Sequence, residues 1–335
     1  MSTIVNVKNL SKTFKVKIQK SGLKGTFKSL LKPEFNISQA VKGISFQIEK
    51  GERLAFIGPN GAGKSTTIKV LTGILHPDGG EVNVLGHIPW KDRQKLSFKT
   101  GAVFGQKPQL WYHLPPGDTF ELFGKIYEMD GHVYKKRVAE LVDLFEITPF
   151  INTPVRQLSL GQRMRCEMVA ALLHNPEVIF LDEPTIGLDV VSKKSFRELI
   201  REMSEREHVT ILLTSHDVGD IEKLCKRVII INEGTLVYEG QVSTLKRTSM
   251  NRKIVGVRFG DIPPEELPLE GCKIVKRGKY GLKLETDNKI CPIRKLMDYL
   301  IGNFEIEDIN VADPPLEEII GAIYNEGVTA VTRDA

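Results

Sequence analysis

Gly58-Pro59-Asn60-Gly61-Ala62-Gly63-Lys64-Ser65-Thr66 fits G-x-x-x-x-G-K-[ST], a loop whose chemistry is phosphate binding. Its glycines let backbone N–H groups converge on an anion with no Cβ in the way. Lys64 is suited to reach β- and γ-phosphates, and the Ser65 hydroxyl is suited to Mg²⁺. Further along, Asp182 and Glu183 end one apolar run, and His216 ends another. Asp182 reads as a second Mg²⁺ anchor, and Glu183 as a carboxylate able to polarise a water for attack on a γ-phosphate. His216 is placed to hydrogen-bond the γ-phosphate or that water, and Gln106 to reach the metal or the water with its amide. Taken singly, each of these is as well explained by a helix cap or a structural histidine. It is the set, in this order, that points to phosphoryl transfer.

The elements that must hold these residues are legible around them. Arg53–Ile57 reads as a buried strand and Thr67–Leu71 as a helix start, the strand-loop-helix setting that the phosphate loop requires. Strands are also predicted at Ile4–Val7, Ala40–Ile48, Glu81–Val84, Thr100–Phe104, Val178–Leu181 and Thr210–Thr214. Lys8–Phe14 reads as a turn into a further element. Helices are predicted at Thr119–Tyr127, Tyr134–Phe145 and Arg163–Leu173, the last stopped by Asn175-Pro176. Leu158–Gln162 reads as the approach to that helix, and Asp189 as the start of the next. Strands alternating with helices predict a largely parallel sheet with function at the strand ends.

Three stretches stand apart. Between Lys15 and Asn36, Lys15, Lys17, Lys20, Lys24, Lys28 and Lys32 face Leu23, Phe27, Leu30 and Leu31 at helical spacing, with no acid before Glu34. This predicts a basic amphipathic helix that meets anionic lipid or a membrane subunit, or else a solvated loop with a small apolar anchor. Trp111, Tyr112 and Leu114 precede Pro115-Pro116, which forbid a helix through them; they are buried aromatics or an exposed docking surface. From about residue 250 onward, short strands and two helical runs predict a small α+β domain.

The 335 residues suffice for one large domain plus a small one. Hydrophobic residues make up 41% and charged ones 27%, so a folded chain is expected rather than a disordered one. A net charge of +5 does not demand nucleic acid, and none is expected as a partner. The four cysteines are dispersed, with no C-x-x-C pair, which fits a reducing cytoplasm better than disulfides or zinc. The N-terminus carries no signal-peptide pattern, and no apolar run approaches bilayer length.

The order of phosphate loop, Gln106, Leu158-Ser159-Leu160-Gly161-Gln162, Leu181-Asp182-Glu183-Pro184-Thr185, Gly187-Leu188-Asp189 and Ser215-His216-Asp217 resembles the ATP-binding subunit of an ABC transporter, over roughly Ile4–Lys246. The resemblance implies an α/β P-loop NTPase fold, with an antiparallel β subdomain and a helical subdomain over residues 1–248. A basic insertion at 15–39 and a small accessory domain at 250–330 complete the expected layout. It implies that ATP and Mg²⁺ are bound, with Phe14 stacking on adenine. Gln106 would sense the metal and couple to the membrane subunit. Ser159, Leu160, Gly161 and Gln162 would contact the ATP held by an opposing subunit, and Asp189 would communicate across that dimer. Glu183 is then the catalytic base and His216 the switch histidine. Leu160 departs from the glycine usual in this signature, which bears on local loop geometry; Ser159 and Gly161 are retained.

The resemblance further implies permease subunits and a second ATP-binding subunit as partners, at the cytoplasmic face of the plasma membrane. The C-terminal stretch around Asp313–Ile320 resembles the accessory domain of bacterial exporter ATPases with separately encoded permeases, which move drugs or lipid-like compounds. The insertion after Phe14 is similar to that of polysaccharide and teichoic-acid exporter ATPases. A soluble ABC ATPase of translation or DNA repair fits less well. Only one phosphate loop is present, and no sustained heptad run interrupts Thr67–Leu158.

Overall fold

The computed structural model describes residues 2–17, 35–105, 107–248 and 251–326. Two compact units are present, one running to Gly240 and one beginning at Gln241.

The first unit opens with β1 (Thr3–Lys17) and β2 (Phe35–Glu49), a long antiparallel pair. It continues through β3 (Arg53–Ile57), α1 (Lys64–Leu71), β4 (Gly79–Val84), α2 (Arg93–Ser97) and β5 (Thr100–Phe104). Two longer helices follow, α3 (Pro116–Ile126) and α4 (Gly131–Leu144), and then α5 (Leu160–Leu172). The unit ends with β6 (Val178–Asp182), α6 (Val190–Glu207), β7 (Thr210–Ser215), α7 (Val218–Leu224), β8 (Arg227–Asn232) and β9 (Thr235–Gln241).

The strands form two sheets. β2-β1-β4 is antiparallel, and a six-stranded sheet runs in the order β5-β6-β7-β3-β8-β9. In the latter, β5, β6, β7, β3 and β8 pair in parallel, which aligns their C-terminal ends along one edge. β6 and β7 are buried almost throughout, as strands of a parallel sheet covered on both faces are. Phe46 and Phe56, 5.4 Å apart between ring centroids, join the two sheets into one core with Val5, Ile68, Phe180 and Ile229.

The second unit holds α8 (Val242–Thr248), β10 (Arg252–Phe259), β11 (Cys272–Arg277), β12 (Gly281–Asp287), α9 (Ile293–Asn303), β13 (Ile306–Ala312) and α10 (Leu316–Glu326). Its antiparallel sheet, β11-β12-β10-β13, packs Val255, Val257 and Leu284 against Leu296 and Leu300 of α9.

Some local expectations are corrected. Lys8–Phe14 is not a turn: β1 runs straight through it, absorbing register shifts as bulges. The ends of the basic stretch are strand, not helix, with Lys15 opposite Ile37 and Lys17 opposite Phe35; residues 18–34 lie outside the described residues. The phosphate-loop helix begins at Lys64, and α5 begins at Leu160, so Leu160, Gly161 and Gln162 form a first helical turn rather than a loop. Pro116 starts α3 at its first position, where a missing N–H costs nothing. Among the described residues, no helix is long and apolar enough to cross a membrane.

Candidate active site

The phosphate loop leaves β3 and enters α1, and one close contact explains the glycine at its end. Gly63 has φ +103, and a Cβ there would lie 2.3 Å from the Ala40 carbonyl oxygen of β2. The loop therefore closes against the antiparallel sheet only with glycine at this position. Lys64 is 6% exposed; its Nζ donates to the carbonyl oxygens of Gly58 (2.6 Å) and Pro59 (3.4 Å). The Ser65 hydroxyl donates to Asp182 Oδ1 at 3.0 Å. Gly58, Pro59, Asn60, Gly61, Ala62 and Thr66 complete the same loop, with Ala62 buried behind it.

Asp182 ends β6, next to β7 in the sheet, and the fully buried Thr214 hydroxyl donates to the same Oδ1 at 2.6 Å. No motif marks Thr214 in the sequence: it is one of three hydroxyl residues in β7. Glu183 follows with φ +53, a left-handed conformation uncommon for a residue with a side chain. Its amide donates to the Thr214 carbonyl and hydroxyl, both at 3.1 Å, and this holds the turn. The turn is crowded: a Cβ on Gly105 would lie 2.3 Å from the Glu183 carbonyl oxygen. The Glu183 carboxylate sits 3.5 Å from Lys64 Nζ through Oε1 and 2.6 Å from His216 Nδ1 through Oε2. Lys64, Ser65, Asp182, Glu183 and His216 are therefore one constellation, at the strand-end edge where the parallel sheet predicts function. Gln106 lies outside the described residues.

Beside Gly61, a cavity of about 500 Å³ is lined by Ile37, Ser38, Lys42 and Glu233. Phe14 is half-buried on β1, opposite Ser38 of β2 in the strand register, with Lys12 Nζ 5.7 Å from its ring centroid. Ile37, Ser38 and Lys42 are residues the sequence did not single out, because a strand-edge residue carries no local motif.

Ser159, Gly161 and Gln162 lie elsewhere, at the start of α5. Ser159 caps the helix: its Oγ accepts from the Gln162 amide (3.2 Å), and its own amide donates to Gln162 Oε1 (2.9 Å). A second cavity, of about 250 Å³, is lined by Ser159, Gly161, Gln162, Arg165 and Ser192. Asp189 accepts from the amides of Val191 and Ser192, each at 3.0 Å, and from the Ser192 hydroxyl at 2.6 Å. Ser192 thereby joins Asp189 to this second cavity. Leu160 packs over Gly187, where a Cβ would come within 3.0 Å of it.

Trp111, Tyr112 and Leu114 are 47%, 56% and 38% exposed, which decides against a core role. The chain just before them is anchored by Glu167 of α5, 3% exposed, whose carboxylate accepts from the amides of Gln109 (3.0 and 3.1 Å) and Leu110 (3.3 Å). Burial pushes the Glu167 carboxyl up from its ordinary value, and those two amides oppose the shift.

The family model for ABC transporters matches residues 41–186. The ABC transporter ATP-binding protein NatA of Bacillus subtilis is 34% identical over 209 residues, covering 62% of this chain and 85% of that one. The chain belongs to the ATP-binding subunits of ABC transporters. This ATP-binding subunit is also 28% identical over 291 residues to the daunorubicin resistance ATP-binding protein DrrA3 of Streptomyces coeruleorubidus, covering 84% of this chain and 90% of that one. Among solved structures it is similar to a dimeric ATP-binding cassette in a post-hydrolysis state bound to ADP and Pi. That likeness has a TM-score of 0.58 at 28% identity, over 71% of this chain and 98% of the other. The ABC transporter subunit is an ATP hydrolase, on an α/β P-loop fold.

Proposed function

We propose that this subunit hydrolyses Mg²⁺-ATP in composite sites between two cassettes and so drives export of a hydrophobic or drug-like compound through separate permease subunits. The observation that carries the catalytic part is Glu183. Held at φ +53 between Lys64 and His216, it aims a carboxylate at the mouth of the phosphate loop. Glu183 takes the proton of the attacking water, and His216 holds that carboxylate in place from its other side. Lys64 stabilises the charge that develops on the phosphoryl oxygens. Phe14 takes the adenine beside the Ile37–Lys42 wall.

The donor set fits Mg²⁺: a hydroxyl and a carboxylate oxygen, Ser65 Oγ and Asp182 Oδ1, stand 3.0 Å apart beside the phosphate loop. Ser65 and Asp182 would hold the ion, with Gln106 as the further oxygen donor named from sequence. When bound, the ion neutralises charge on the β- and γ-phosphates. Ser159, Gly161 and Gln162 lie at the capped start of α5, in a cavity separate from the phosphate loop's own constellation. A second subunit brings that cavity to the γ-phosphate, and Ser192 relays its position to Asp189. The dimeric state of the ADP-bound cassette supports this reading.

Trp111, Tyr112 and Leu114 form the permease-docking patch, and the subunit sits peripherally at the membrane through it. DrrA3 is named for daunorubicin resistance and matches most of this chain, which favours a drug-like cargo and an accessory role for the unit beyond Gln241. The second reading, a polysaccharide or teichoic-acid cargo, rests on the resemblance of the basic insertion in sequence alone. Steady-state hydrolysis, with and without co-reconstituted permease and candidate cargo, tests the assignment: stimulation by permease and cargo is expected. Full activity bound to ribosomes or DNA instead would overturn it.

A further inference from the structure

Asp220 of α7 is fully buried and contacts no part of the phosphate loop, yet three elements of the site converge on it. Its Oδ2 accepts from the Thr185 hydroxyl at 2.6 Å and from the Ser215 hydroxyl at 2.6 Å. Its Oδ1 accepts from Arg197 Nε of α6 at 2.5 Å. Thr185 and Ser215 are themselves buried, at 2% and 0% exposure. A carboxylate without solvent persists only when its oxygens are matched by donors, and here each one is.

The positions of those donors give the cluster its meaning. Thr185 is two residues past Glu183, and Ser215 immediately precedes His216. One carboxylate oxygen therefore binds the turn that carries Glu183 and the strand end that carries His216. The Ser215 hydroxyl is fully used, since it also accepts from the Asp217 amide at 2.9 Å. Asp217, on the other flank of His216, is ion-paired to Lys193 (2.7 Å) and Arg197 (2.9 Å). Lys193 and Arg197 both lie on α6, the helix whose N-terminus Asp189 caps. Gly219 makes the fit possible, since a Cβ there would fall 2.9 Å from the Arg197 guanidinium.

We propose that Asp220 is a positioning residue for hydrolysis: it fixes the spacing between Glu183 and His216 and registers both to the Asp189 helix. It acts through Thr185, Ser215 and Arg197 and is itself fully buried. This rests on the reading of Glu183 as the base. Its loss lets the Glu183 turn and the His216 strand end move independently, and small misplacements of reacting groups lower turnover strongly. The side chains bonded to Asp220 are Thr185, Ser215 and Arg197, none of them in the phosphate loop, so turnover is expected to change far more than nucleotide binding.

The test is steady-state hydrolysis of Mg²⁺-ATP by the full chain, with thermal melting in parallel. Asp220→Asn keeps the shape and removes the charge; kcat is expected to fall about tenfold or more with KM within about twofold of the parent. Thr185→Val removes only a hydroxyl, and kcat is expected to fall several-fold at unchanged KM, with Thr185→Ser restoring it. If Asp220→Asn does not fold, the Thr185 pair decides. Parental kcat in Thr185→Val would overturn the proposal. So would a loss that Thr185→Ser fails to restore, or one in which KM rises in step with the fall in kcat. Glu183→Gln in the same assay separates the two ideas. An inert Glu183→Gln beside an unaffected Thr185→Val sinks only the role of Asp220, whereas an active Glu183→Gln sinks the reading beneath it.

Discussion

The Ser65 hydroxyl lies 3.0 Å from Asp182 Oδ1 across 117 positions of chain. Two motifs remote in sequence thus present their oxygens to one point beside the phosphate loop. Asp182→Asn keeps the shape and removes the charge that a hard cation requires. Hydrolysis is expected to fall by two orders of magnitude or more, roughly the scale of losing a metal anchor. Chelation by EDTA should stop the parent enzyme equally, and added Mg²⁺ should restore the parent but not the variant. Parental turnover by Asp182→Asn at ordinary Mg²⁺ would remove Asp182 from the metal site.

What the sequence disclosed follows physical reach. Lys64, Ser65, Asp182, Glu183 and His216 were legible because each stands in a contiguous motif at the end of an apolar run. Thr214, Glu167 and Asp220 were not, because the partners Asp182, Gln109 and Thr185 lie 32, 58 and 35 residues away and only the tertiary fold brings them together. The helical character of Leu160–Gln162 was hidden for another reason. The capping box S-x-x-Q coincides with the signature stretch, and its residues satisfy the first amides of a helix. β1 was broken at Lys8 because bulges disturb the period-two pattern that marks a strand.

Acid should loosen the packing at the start of β5. His174 stacks on Tyr127 at 3.9 Å, and its Nε2–H donates to the Thr100 carbonyl at 3.0 Å. Burial pushes its pKa from 6.5 down to about 4. The unfolded chain therefore binds the proton more tightly than the fold does. The stability owed to neutral His174 is fully present above pH 6.5 and is lost as pH falls through about 4, to a limit of about 3 kcal/mol. His174→Gln should melt with a visibly flatter pH dependence over that window. Superimposable pH profiles for the two proteins would show that His174 does not carry the effect.

Ser159 is expected to act twice. Ser159→Ala removes a helix cap and should lower stability by about 1 kcal/mol. Ser159→Arg places a bulky cation in the cavity shared with Ser192. ATP-driven association of two subunits should then fail, while each monomer still binds nucleotide. Sedimentation in a Glu183→Gln background, with and without Mg²⁺-ATP, reads this directly; an undiminished ATP-dependent dimer would place the opposing contact elsewhere.

Trp111 is half exposed, so its truncation should leave the fold nearly intact. Trp111→Ala is expected to shift stability by under about 1 kcal/mol, against about 3–5 kcal/mol for Phe120→Ala in the core. Isolated hydrolysis should persist while capture of the co-expressed membrane subunit falls. Unchanged capture would take Trp111 out of the docking patch, and a melting loss on the Phe120 scale would contradict its exposure.

The central claim is that the Glu183 carboxylate, set between Lys64 and His216, is the base for hydrolysis. Glu183→Gln keeps the volume and the hydrogen-bonding reach of the side chain and removes its basicity. Single-turnover hydrolysis of radiolabelled ATP, paired with equilibrium binding, isolates that one change. The expected result is ATP affinity within about threefold of the parent and phosphate release slowed at least about a hundredfold. Phosphate release at the parental rate, with ATP bound, would contradict the assignment.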